Sequence, residues 1–162
     1  MAPTAYIHDD ATVIGDVVIQ DGCFVGAGAI VRGDYSSIRI GARTALEEGC
    51  IIHCPPGEVC EIGNDVTLGH GAIIHCSKIG DFAVIGMGAI VSIHAVIGEW
   101  DMVGEGAVIV QGSSIPPRRV VVGNPAKIIK ETTEEQMRFW SEIKEIYVDL
   151  CSRYREGLER IE

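Results

Sequence analysis

Residues 62–75 read Ile62-Gly63-Asn64-Asp65-Val66-Thr67-Leu68-Gly69-His70-Gly71-Ala72-Ile73-Ile74-His75, and an aliphatic side chain returns at every sixth position, at Ile62, Leu68 and Ile74. The same step extends outward in both directions. Upstream it runs through Ile7, Val13, Ile19, Val25 and Val31, with Ala11, Val17, Cys23 and Ala29 four positions after the first four, and again through Ile40, Leu46 and Ile52. Downstream, a five-residue step leads to Ile79, and six-residue steps then reach Ile85, Val91, Ile97, Val103 and Ile109. A six-residue period sustained over most of a chain marks a parallel β-solenoid of hexapeptide repeats, in which stacked repeats bury one continuous core. The expected class is mainly β.

Composition agrees. A chain of 162 residues, 47% hydrophobic, suits one domain with a sizeable core. Twenty glycines serve tight corners, and only two Trp, four Tyr and three Phe are present, as a narrow interior of Val, Ile and Ala requires. The net charge of −10 argues against a nucleic-acid partner, which would select a basic face. No apolar run approaches the roughly 18 residues of a membrane span, and the first residues lack a basic-plus-apolar signal pattern, so the expected compartment is the cytoplasm. There, six cysteines are expected as thiols, with Cys23 and Cys50 at the small inward position of their hexads. Cys151 needs no special role.

Residues 1–129 read as the solenoid, and residues 130–162 as a terminal helix of the same single domain, running over about 132–161. Thr132 with Glu135 makes a capping-box start. Met137, Trp140, Ile143, Tyr147, Leu150, Tyr154 and Leu158 then form one apolar stripe at three- and four-residue spacing, suited to packing on the solenoid's flank. Two insertions break the period. One holds Gly33-Asp34-Tyr35-Ser36-Ser37, and the other Cys54-Pro55-Pro56-Gly57-Glu58-Val59-Cys60. Insertions in repeat proteins map to loops on one face, often the functional one.

Three histidines lie close to these insertions. With three hexads to a coil, Ile74 falls one coil after Ile52 on the same wall, so His53 and His75, each one residue later, stack on one corner about 4.8 Å apart in backbone. Two imidazoles so placed can share a metal ion. His70 follows Leu68 by two and belongs elsewhere on the prism, so a threefold-related copy must deliver it. The expectation is a homotrimer with metal sites between subunits, each using His53 and His75 of one chain and His70 of another; three histidines with an open fourth position make a catalytic zinc arrangement. A histidine at a solenoid corner is otherwise a solvated or interface residue; His8, many coils away, and His94, at another offset within its hexad, are read as structural or surface residues. Arg32 lies one coil before His53 at the matching offset, and Asp34 is placed to pair with an arginine or to orient a ligand. Glu47 and Glu48 lie one coil before Gly69 and His70, where a carboxylate can relay a proton or simply be solvated. Cys54 and Cys76 stack as the histidines do. They are expected as free thiols, the alternatives being a disulfide or a thiolate in the metal's coordination sphere.

These residues carry a resemblance. Arg32-Gly33-Asp34, Ile40-Gly41-Ala42-Arg43-Thr44, the stretch ending in His53, residues 62–72, Ile85-Gly86-Met87-Gly88-Ala89 and Val122-Gly123-Asn124-Pro125-Ala126-Lys127 are similar to segments of the γ-class carbonic anhydrases and their phenylacetate-degradation-type relatives. The likeness covers nearly the whole chain. It implies a left-handed β-helix trimer, zinc (or iron or cobalt) on His53, His70 and His75, and Arg32 and Asp34 at the subunit interface. It also implies a lyase activity, the reversible hydration of carbon dioxide to bicarbonate by metal-activated water. The chain departs from the family at Glu47-Glu48, where Gln-Asp is usual, and at Tyr35, in place of an acidic residue. His75-Cys76-Ser77 stands where His-Gly-Cys is usual. The acidic loop after the first histidine becomes Cys54-Pro55-Pro56, leaving Glu58 as the nearest proton-transfer group. The competing readings are a metal-dependent acyl-CoA thioesterase, a CoA-dependent acyltransferase suggested by residues 123–127, and a catalytically silent metal-binding scaffold.

Overall fold

The computed structural model describes residues 1–158. Its core is the left-handed parallel β-helix expected above, with a single helix on its flank. Strands Tyr6–Ile7, Phe24–Val25, Ala45–Leu46, Thr67–Leu68, Val84–Ile85, Met102–Val103 and Arg119–Val122 pair in parallel down one wall, here wall one, and Lys127–Glu131 closes it antiparallel. Wall two stacks Ile51–His53, Ile73–His75, Ile90–Val91 and Val108–Ile109 beneath residues 30–32. Wall three stacks Val59–Ile62, Lys78–Ile79 and Val96–Ile97 beneath residues 37–40. Two long strands, Thr12–Ile19 and Ile30–Ile40, bend around the corner and join walls two and three into one sheet.

The six-residue aliphatics point inward because each wall contributes one central inward position per coil. Leu46, Leu68 and Ile85 line wall one, Ile52, Ile74 and Val91 wall two, and Ile40, Ile62 and Ile79 wall three, all buried in one cluster. Small residues such as Cys23, Ala29, Cys50 and Ala72 fill the corners. Val13 departs from the rule: it is 39% exposed, because the first coil has no coil above it. Successive coils pass so closely that an ideal Cβ on Gly41 would lie 2.5 Å from the carbonyl carbon of Gly63.

The helix spans Glu134–Gly157 and lies against wall one. Its cap is Thr133, whose hydroxyl accepts from Gln136 N while Gln136 Oε1 accepts from Thr133 N, so the capping box starts one residue later than Thr132 and Glu135 predict. Thr132 is unavailable because its own hydroxyl donates to the Trp100 carbonyl, at 3.0 Å. The last strand runs through Glu131, past the boundary read at residue 129. Residues 159–161 of the predicted helix lie outside the described residues. Tyr147, Leu150 and Tyr154 pack with Tyr6, Phe24 and Cys151, and Trp140 packs on Val84, Met102 and Val120. Leu158 is exposed, unlike the rest of the predicted stripe, as the C-cap of the helix. Lys144, which the stripe omits, is buried between them with Thr67 Oγ1 at 3.1 Å. Among the described residues, no helix is long and apolar enough to cross a membrane.

Candidate metal centre between subunits

Wall two carries the candidate residues along its two edges. At the edge shared with wall three, His53 pairs with His75 in the parallel ladder, and the rings stack with centroids 5.2 Å apart and planes 15° from parallel. Ladder pairing puts Arg32 one step above His53. Arg32 Nη1 reaches Asp34 Oδ2 at 3.1 Å, so the pair closes within one chain. Burial, with Arg32 and His75 alongside, holds the His53 pKa below the ordinary imidazole value, which favours the neutral form that a metal needs. Both insertions project from this same corner and are tied together: Ser36 Oγ donates to the Cys54 carbonyl at 2.9 Å, and Gly57 N to the Tyr35 carbonyl at 3.0 Å.

His70 stands on the other edge of wall two, in the turn between Thr67–Leu68 and Ile73–His75, and its side chain is half exposed. Glu47 and Glu48, one coil above, hold it in a clamp. Glu47 Oε2 lies 3.2 Å from His70 Nε2 and accepts from His70 N at 3.1 Å, and Glu48 Oε2 lies 2.8 Å from Nδ1. A metal would displace one carboxylate; the longer contact, to Nε2, is the one more readily released. Glu47 is itself buried and accepts from the Tyr147 hydroxyl of the terminal helix. Burial and the neighbouring Glu47 raise the Tyr147 pKa above its ordinary value and keep it a donor.

Among the described residues of one chain, no cluster of three His, Cys, Asp or Glu could hold a metal ion. His53 and His75 provide two imidazoles, and His70 is across the wall from them. Between the two edges, Ile30 and Ile51 on the outer face of wall two are 39% and 37% exposed, and Ile73, Ile90 and Val108 continue their column.

Sequence reasoning missed two partners. Glu58 is bound at both oxygens by His94 Nε2, at 2.9 and 2.7 Å, and accepts from Cys76 Sγ at 3.2 Å. These two donors, Cys76 first, hold its pKa below the usual carboxylate range. His94, read as a structural or surface residue, belongs to the His53–His75 corner; its position one coil below Cys76, whose carbonyl accepts from His94 N at 2.9 Å, was the available signal. Tyr147 was read only as part of a packing stripe. Cys54 and Cys76 are thiols in contact.

No family model matches the chain. The chain is 34% identical to the carnitine operon protein CaiE of a Proteus strain, over 96% of this chain and 79% of that protein. It is also 33% identical to the mitochondrial gamma carbonic anhydrase 2 of Arabidopsis thaliana, over 97% of this chain but only 60% of that protein. The crystal structure of a hexapeptide transferase family protein from Anaplasma phagocytophilum superposes with a TM-score of 0.89 at 32% identity, covering 94% of this chain and 90% of that one. The chain belongs to the hexapeptide-repeat, γ-carbonic-anhydrase-like family. In this chain the stacked pair His53 and His75 and the carboxylate-clamped His70 stand on opposite edges of wall two.

Proposed function

We propose that the chain is a zinc-dependent γ-carbonic-anhydrase-like enzyme that hydrates carbon dioxide to bicarbonate, working as a homotrimer. The observation that carries this reading is the division of the histidines. A stacked pair stands on one edge of wall two, a carboxylate-clamped third stands on the other, and an apolar column lies between. A threefold assembly that covers the column brings the His70 edge of one chain to the His53–His75 edge of the next. The donor set fits zinc, with iron or cobalt as the other occupants of such imidazole sites. When bound, the metal supplies a Lewis acid that makes water nucleophilic at neutral pH.

The chain's own residues have separate tasks. Glu48 orients the His70 ring through Nδ1, leaving Nε2 to face the neighbour. Glu47, positioned by Tyr147, presents a buried acceptor beside that nitrogen for the proton of the attacking water. Glu58 with His94 forms a second acceptor at the opposite corner, open to solvent. Arg32 and Asp34 brace the corner above His53. The Arabidopsis relative's name supports carbonic anhydrase chemistry. The name of the Anaplasma structure, a hexapeptide transferase family protein, supports a second reading as a transferase, for which CoA-dependent acyl transfer is the chemistry residues 123–127 suggest.

Metal analysis of purified protein, its mass in solution, and carbon dioxide hydration assayed beside acyl-CoA hydrolysis and acyl transfer separate these readings. A zinc-containing trimer with hydration activity is expected. A metal-free protein, or a zinc trimer active only on acyl-CoA, would overturn the proposal.

A further inference from the structure

The corner that holds His53 and His75 also holds two cysteines that the proposed reaction does not use. Cys54 and Cys76 follow the histidines by one residue on adjacent coils, and Cys76 N donates to the His53 carbonyl at 2.8 Å. Neighbouring strands in such a ladder run about 4.8 Å apart, within the Cα separation of about 4.4–6.8 Å that a disulfide spans. The Cys54 thiol donates to Cys76 Sγ across 2.8 Å. The other four thiols are directed at backbone carbonyls: Cys23 at Gly41, Cys50 at Leu68 and Gly69, Cys60 at Ser77, and Cys151 at Cys23. One pair of the six is thus in sulfur–sulfur contact.

We propose that Cys54 and Cys76 are a reversible oxidation site, closing to a disulfide that joins the two coils bearing His53 and His75. The co-reactant is a small organic disulfide. The Cys76 sulfur attacks one of its sulfurs, forming a mixed disulfide and expelling one thiolate. The Cys54 sulfur then attacks Cys76 Sγ, forming the Cys54–Cys76 bond and expelling the second thiolate. The two protein protons leave with the two released thiols, so one small disulfide is reduced as the pair is oxidised. The fold favours the product because the ladder already holds the two sulfurs together, and the second step is intramolecular with little further ordering. Access is the slow part. Cys54 is 0% and Cys76 3% exposed, and Cys76 is engaged by Glu58, so the Pro55–Glu58 turn must open before a reagent enters.

The test uses the full chain with a chelator present, in glutathione buffers of graded oxidised-to-reduced ratio. Samples start from native protein and from protein refolded into the same buffers, and are acid-quenched, alkylated and mapped by peptide mass. The expected result is loss of two thiols per chain in a single step, a Cys54–Cys76 cross-linked peptide, and full reversal by dithiothreitol. The Cys60→Ser variant should behave identically, and Cys54→Ser should stop at a glutathione adduct or stay reduced. A Cys54–Cys60 link, a link between chains, or six thiols retained in the fully oxidised buffer by both native and refolded protein would overturn the proposal.

Discussion

A mixture of two inactive variants should recover a defined part of the metal. His70→Ala leaves a chain with an intact His53–His75 pair and no third imidazole to offer its neighbour. His53→Ala leaves a chain that offers His70 but breaks its own stacked pair, whose centroids lie 5.2 Å apart. Neither substitution touches the interior, since His70 sits on a turn with its side chain half exposed and His53 points away from the core cluster. Each variant alone should therefore fold and bind no zinc. After subunit exchange at equal amounts, each interface in a cyclic trimer is intact only when a His70→Ala chain supplies the pair and its neighbour, a His53→Ala chain, supplies His70. Each condition holds for about half the chains, so about a quarter of the wild-type zinc per chain should return, falling symmetrically as the ratio departs from one to one. Differently tagged chains and native mass spectrometry report exchange, and elemental analysis after dialysis reports zinc. Confirmed exchange with no zinc recovered, or full zinc retained by His70→Ala alone, would refute a site shared between chains.

Further outcomes follow from buried groups. Burial lowers the Lys144 pKa to about 8, from 10.5 when free, so the folded chain binds fewer protons than the unfolded one between those values and its stability rises with pH across that window. At roughly 1.4 kcal/mol per unit the gain is about 3 kcal/mol. Lys144→Met should lack this rise in urea titrations at fixed protein concentration, with the buried thiols common to both proteins cancelling; parallel profiles would contradict it. Ile74→Ala, at a fully buried wall-two position, should cost about 2–5 kcal/mol in the same titration. Tyr147→Phe should keep its zinc but lose roughly tenfold in hydration rate, because Glu47 loses the donor that aims it; an unchanged rate would show that Glu47 is positioned by other contacts. Gly41→Ala should fold poorly at any pH, since its Cβ would meet the Gly63 backbone at 2.5 Å, and a wild-type melting temperature would refute that close approach.

Counting hexads was enough to place the solenoid, the inward aliphatics and the stacking of His53 on His75. A helix of stacked coils repeats by translation along its axis, so counting residues between hexad starts is equivalent to measuring position, and two residues at one offset in adjacent coils must be neighbours. The same counting set Arg32 above His53 and Glu47 and Glu48 above His70, and it showed that the three histidines do not meet within one chain. The contacts made off the repeat come from three-dimensional packing instead. The Glu58–His94 pair depends on how the Cys54–Cys60 insertion folds back over the next coils, which no period describes. Tyr147 reaches Glu47 from a hundred residues away because the helix docks at one height on wall one, a height set by its aromatic packing against Tyr6 and Phe24. That docking also buries Lys144 against Thr67 and leaves Leu158 exposed, although side-chain polarity alone assigns the two the opposite environments. The start of the helix moved to Thr133 for a similar reason: two threonines are equally good caps in sequence, and the Trp100 carbonyl, thirty-two residues upstream, occupied the hydroxyl of the first.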